Sequence, residues 1–243
     1  DVAILVGAFP RKQGMERRDL LLRNADIFRS QGEAIDKVAK RNIKILVVGN
    51  PANTNALVLS KAAPGIPRRN ISALTRLDQN RCTALIAQTF NVEVHQVERV
   101  AIWGNHSATQ YPDFVNAVVT GATKKVMDVM GGHLMLANEH IPFIQKRGAA
   151  IIAARKLSSA MSAAAAICDH IRDWIYGSDG RVVSMAVFAD GSYGIDEEVF
   201  FSFPVVCSNG GFSIVQDFHL GDFGRKYIHL SLDELLAERS EIM

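Results

Sequence analysis

Cysteine is scarce in this chain: there are three in 243 residues, Cys82, Cys168 and Cys207, and no two of them form a C-x-x-C pair. That scarcity excludes a disulfide-stapled secreted scaffold and fits a reducing compartment, with the cytoplasm as the expected one. The segments around the thiols are rich in apolar or small residues, so all three are expected in the core. Long apolar runs are missing too. None approaches the roughly 20 residues that a membrane-crossing helix needs, so no membrane partner is expected. Nor is there an excess of one charge. Lys+Arg 27 against Asp+Glu 25 leaves a formal net charge of +2, without the basic field that nucleic acid selects. A small molecule is the expected partner.

Metal-ligand spacing is absent as well. His95, His133, His140, His170, His219 and His229 show no H-x-x-x-H or His/Cys pattern, so no metal is expected. Ser107 has a histidine beside it but no G-x-S-x-G elbow, which weakens a serine hydrolase reading. The sequence contains neither an internal repeat nor a low-complexity segment. What it does contain is 48% hydrophobic and 21% charged residues, enough to bury one large core or two smaller ones without staples.

Two short apolar runs, Val2 to Val6 and Ile43 to Val48, each end in Gly and read as strands covered on both faces, hence as parallel sheet. Between them, Leu20, Leu21, Asn24, Ile27, Phe28, Gln31, Ile35 and Val38 fall at helical spacing within 16–40. The unit is strand, helix, strand. Asn50-Pro51-Ala52-Asn53-Thr54-Asn55 then forms a turn with Asn and Thr as N-cap candidates, opening a helix through about Ala62. A further strand is expected at 71–75 and a domain boundary near Thr75, dividing the chain into 1–75 and 76–243. The second part reads as α+β. It is expected to hold a helix over 78–90, a strand over 97–103, an irregular stretch over 104–113, and one long or broken helix over 149–176. Strands over 182–189, 199–206 and 212–215 follow, then a closing helix for which Ser231 and Glu234 form a capping-box signature. Ligands of such parallel sheets bind where strands end and loops begin.

Three segments carry candidate chemistry. Arg11 and Arg17 sit around Gly14 in the loop after the first strand, each with a planar fork suited to carboxylate or phosphate; a solvated basic helix start is the plainer alternative. Asp78 and Arg81 lie three apart on one helix face, where an ordinary ion pair also explains them. His106 follows a strand on a Gly-containing loop. A carboxylate on one ring nitrogen would fix its tautomer and leave the other to exchange a proton, although a merely capped loop histidine is the competing reading.

Taken together, the segments resemble the cytosolic-type malate dehydrogenase group of the lactate/malate dehydrogenase superfamily. The likeness rests on Val6-Gly7-Ala8-Phe9-Pro10-Arg11, Gly14-Met15-Glu16-Arg17, Val48-Gly49-Asn50-Pro51-Ala52-Asn53-Thr54-Asn55, Thr75-Arg76-Leu77-Asp78-Gln79-Asn80-Arg81, Gly104-Asn105-His106-Ser107-Ala108-Thr109-Gln110-Tyr111-Pro112 and Arg155-Lys156-Leu157-Ser158-Ser159-Ala160. The resemblance implies an α/β fold, an incomplete Rossmann-type doubly wound parallel sheet followed by an α+β catalytic domain. It also implies NAD as cofactor, malate and oxaloacetate as substrates, a homodimer and a place in the tricarboxylic acid cycle. By the same likeness His106 is the proton acceptor and Asp78 the carboxylate that orients it. Arg81 holds the carboxylate next to the reacting carbon, and Arg11 and Arg17 grip the far one. Asn50 touches substrate and nicotinamide, Val48 and Gly49 offer backbone to the cofactor, and Asn24 and Gln31 match further cofactor contacts.

The family's G-x-G-x-x-G phosphate turn and its ribose-binding acidic residue do not precede Asp1. The chain is therefore expected to lack roughly the first 80 residues of the nucleotide-binding half, a size of one and a half βαβ units. It is expected to expose strand edges, to favour aggregation and to bind NAD poorly on its own. A broader 2-hydroxy acid dehydrogenase is one alternative. A truncated non-catalytic form that binds a dicarboxylate or acts as a dimer partner is the other.

Overall fold

The computed structural model describes residues 1–9, 17–157 and 159–242, which divide into two compact units. The first comprises Asp1–Leu74, Ala186–Phe201 and Leu232–Met243, the second Thr75–Met185 and Ser202–Ser231. No helix among the described residues is long and apolar enough to cross a membrane.

In the first unit, β1 (Val2–Leu5), β2 (Lys44–Val47) and β3 (Ile71–Ala73) pair in parallel in that order. Ala73 of β3 bridges antiparallel to Ala186 of β8 (Val183–Phe188). Helix α1 (Arg17–Val38) links β1 to β2, and α2 (Ala52–Ala62) links β2 to β3. The two helices approach closely enough that a Cβ on Gly32 would stand 2.8 Å from the Cβ of Ala62. Phe28, Ile45, Val47, Leu57, Leu59, Ile71 and Phe200 fill the core. Each large side chain buried there contributes about 1.5–3 kcal/mol.

Two expectations for this unit need correction. β1 is covered on one face only: Ala3 and Leu5 pack against the core, while Val2 and Ile4, on the opposite face, are 38% and 43% exposed. The N-cap of α2 is Pro51, without a side-chain cap bond. The polar side chains of the first turn are spent elsewhere: Asn53 Nδ2 donates to the Phe200 carbonyl at 2.9 Å, Thr54 Oγ1 to Glu238, and Asn55 Nδ2 to the Gly49 carbonyl at 2.8 Å.

The second unit is built on α3 (Arg76–Phe90), which packs against α7 (Ala160–Tyr176). The single strand expected over 97–103 is broken into β4 (Val97–Glu98) and β5 (Ala101–Trp103) at Arg99, whose φ is 56°. β4 pairs with β7 (Val118–Val119) and β5 with β6 (Tyr111–Asp113), the latter inside the stretch expected to be irregular. Short helices α4 (Val126–Val129) and α5 (Gly132–Met135) lead to α6 (Ile141–Arg155), and of the long or broken helix expected over 149–176 the broken form is found, as α6 and α7. β9 (Phe200–Ser208) returns through Asn209-Gly210, both with φ near +50 to +70°, into β10 (Gly211–Ile214), as a two-residue hairpin requires.

The closing helix, α8 (Gly221–Ile242), starts ten residues before Ser231. Ser231 is therefore no N-cap. It lies mid-helix and fully buried. Of the cysteines, Cys82 and Cys207 are core thiols as expected, but Cys168 is exposed, because its position on α7 falls on the outward face.

Candidate active site

The first turn of α3 is unusually polar for a buried helix start: Arg76, Asp78 and Gln79 are all buried. Each is held by a long-range bond. Gln79 Nε2 donates to the Val100 and Val182 carbonyls and its Oε1 accepts from the Ser184 amide. Arg76 pairs with Asp173 on α7. Thr75 and Ser202 share a hydroxyl hydrogen bond of 2.8 Å. The turn is thereby fixed in place, and Asp78 with it.

Asp78 Oδ2 meets His106 Nδ1 at 2.5 Å, while Asp78 Oδ1 accepts from Arg81 Nη1 at 3.3 Å. The helical spacing of three brings Arg81 onto this carboxylate, and a second arginine nitrogen reaches Ser159 Oγ at 3.4 Å. The Asp78 charge raises the His106 pKa above its ordinary value, and it prevails over burial and the Arg81 charge, which both act to lower it. Asp78 engages Nδ1, so proton exchange with a ligand would run through Nε2.

The loop carrying His106 is pinned at both ends. Gly104, with φ 90°, exchanges backbone bonds with Ser202 at 3.1 and 2.9 Å. The Asn105 amide donates to Ser231 Oγ at 2.7 Å, and Thr109 Oγ1 donates to the same oxygen at 3.1 Å. Sequence reasoning missed Ser231, Ser202, Gln79 and Ser159 as supports. Only Ser231 carried a signal, and a local motif misdirected it.

The residues expected around the cofactor lie in the first unit: Val48, Gly49 and Asn50 directly follow β2, Asn24 of α1 meets Phe9 after β1, and Gln31 lies farther along α1. The Val48 and Gly49 amides both donate to the Leu5 carbonyl, at 2.9 and 3.0 Å. Asn50 follows, exposed. Asn24 is fully buried, with Oδ1 accepting from the Phe9 amide at 2.6 Å and Nδ2 donating to its carbonyl at 3.3 Å. Gln31 Oε1 is buried with no hydrogen-bond partner among the described residues, and such an acceptor suits a hydroxyl or amide of a dinucleotide. Arg11 lies outside the described residues, as does the Arg17 side chain. Both belong to the expected clamp.

Comparison with known proteins is decisive about ancestry. The description "lactate/malate dehydrogenase, NAD binding domain" matches residues 1–72, and "lactate/malate dehydrogenase, alpha/beta C-terminal domain" matches 75–243. The chain belongs to the lactate/malate dehydrogenase family. A cytoplasmic malate dehydrogenase of Medicago sativa is 51% identical over 99% of this chain and 73% of its own length. Among solved structures of the family, malate dehydrogenase from Naegleria fowleri superposes with a TM-score of 0.95 at 43% identity, covering 100% of this chain and 74% of that one. A Trichomonas vaginalis lactate dehydrogenase, solved with NADH and oxamate, reaches 0.94 at 33%, covering 100% and 75%. The α/β fold with a mixed, partly parallel sheet is thus the family's fold.

Proposed function

We propose that this chain performs NAD-dependent interconversion of malate and oxaloacetate in the cytoplasm, as a homodimer, within the tricarboxylic acid chemistry of its cell. Residues 1–75 are the NAD-binding portion and 76–243 the catalytic portion. The observation that carries the reading is the 2.5 Å contact between Asp78 and His106 with Arg81 on the same carboxylate.

NAD, when bound, accepts or returns the hydride at its nicotinamide. Malate oxidation begins with neutral His106, whose Nε2 takes the hydroxyl proton as the hydride leaves carbon. Asp78 holds the tautomer and stabilises the imidazolium that forms. Oxaloacetate reduction runs the other way, with protonated His106 giving its proton to the new alkoxide. By the family likeness, Arg81 is assigned the near carboxylate and Arg11 with Arg17 the far one. Asn50 orients substrate and nicotinamide, Val48 and Gly49 offer backbone, and Asn24 and Gln31 complete the cofactor contacts. Support for the homodimer comes from α7, which leaves Met161 78% exposed beside exposed Ala164 and Ala165.

The 33% identity to a lactate dehydrogenase raises a second reading, a broader 2-hydroxy acid dehydrogenase, against which the identities near 50% to malate dehydrogenases weigh. Arg11 separates the two, since a lactate methyl group would leave its guanidinium unpaired. Arg11→Gln is expected to cut oxaloacetate turnover by at least about 10-fold and to narrow the preference over pyruvate. Unchanged oxaloacetate turnover in a steady-state assay would mean that the clamp is wrongly assigned.

A further inference from the structure

Ser231 sits in the middle of α8, fully buried. A serine there gains little for the helix, and its hydroxyl costs free energy unless it is bonded. The bonds it makes are not helical. Its oxygen accepts from the Asn105 amide at 2.7 Å and from Thr109 Oγ1 at 3.1 Å, so both lone pairs point at residues flanking His106. Thr109 is tied back in turn through Ser107: its amide donates to Ser107 Oγ at 3.0 Å and the two hydroxyls lie 2.9 Å apart. One oxygen thus closes the loop that carries the imidazole into a ring.

We propose that Ser231 is a positioning residue for His106, its hydroxyl setting where the ring stands against Asp78. The proposal rests on the acid/base role given to His106. Gly104 and Ser202 hold the start of the loop independently, so loss of the Ser231 hydroxyl loosens the loop rather than unfolding it. The charged groups facing the ring are Asp78 and Arg81, both on α3. Asp78 supplies the attraction that a displaced ring would lose.

The test compares Ser231→Ala, Ser231→Thr and His106→Asn in the full-length enzyme, reading kcat, the KM for NADH and the His106 titration by NMR. Ser231→Ala is expected to lose roughly 10-fold in kcat, as small misplacements of catalytic groups do. Its KM for NADH should hold, and its His106 titration should move down toward the ordinary histidine value. Ser231→Thr, which keeps the hydroxyl, restores most of both. Should Ser231→Ala fold poorly, Ser231→Cys, a weak acceptor of similar size, is expected to show the same downward shift. An inactive His106→Asn alongside a Ser231→Ala enzyme with unmoved kcat and titration would overturn the positioning role alone. An active His106→Asn would overturn the acid/base reading and this one with it.

Discussion

Two histidines of the second unit show what a neighbouring carboxylate does. His106 lies on a partly open loop with Asp78 at 2.5 Å, and its pKa is raised. His170, on α7, is fully buried, stands edge-on to Trp174, and has no hydrogen-bond partner on either ring nitrogen among the described residues. Burial, with help from the Arg76 charge, pushes its pKa down to about 3. A carboxylate, Asp173, stands three residues along the helix, but it makes no hydrogen bond to the ring, and the upward pull of its charge is outweighed. Burial alone would push the Asp173 carboxyl up, but Arg76, Arg181 and Arg172 hold it below its usual value. Proximity to an acid is therefore not enough. The acid must also point an oxygen at the ring nitrogen, as Asp78 Oδ2 does while its Oδ1 accepts from Arg81.

The largest effect should come from making His106 resemble His170. Asp78→Asn removes the charge that stabilises the imidazolium and is expected to lower kcat by at least about 100-fold. The pH-rate profile gives the sign. A lower His106 pKa leaves the ring neutral at more acidic pH, so the limb of oxaloacetate reduction that needs the protonated ring moves to lower pH. A profile that keeps its position would show that Asp78 does not set the His106 charge.

A smaller effect tests the other half of the comparison. The folded pKa of His170 lies below its ordinary 6.5, so unfolding takes up a proton at acidic pH, and stability falls as pH drops from 6.5 toward about 3. That slope is on the order of 1 kcal/mol per pH unit. His170→Phe, which keeps a ring against Trp174, is expected to flatten it in urea unfolding followed across that range. An unchanged slope would place the acid sensitivity elsewhere.

Much of this was legible in the sequence where the determinant is local. The helical spacing of Asp78 and Arg81, the strand before His106 and the apolar periodicity of α1 all depend on residues close along the chain. The supports of the site depend on distant ones. Ser231 with Glu234 reads as a capping box because that motif spans four residues, whereas its actual partners, Asn105 and Thr109, lie more than a hundred positions away. Likewise Asn53 and Thr54 read as caps until their partners Phe200 and Glu238 are seen. His170 and Asp173 have the same spacing as Asp78 and Arg81. Nothing in that spacing reveals that three arginines already claim Asp173.

The most direct measurement is an NMR titration of the histidine ring protons in the wild-type enzyme, with Asp78→Asn and His170→Phe used for assignment. The His106 signal should titrate above the ordinary value of 6.5, and the His170 signal should stay neutral down to about 3. A His106 that titrates at or below 6.5 with Asp78 intact would contradict the carboxylate-steered acid/base pair on which the functional reading stands.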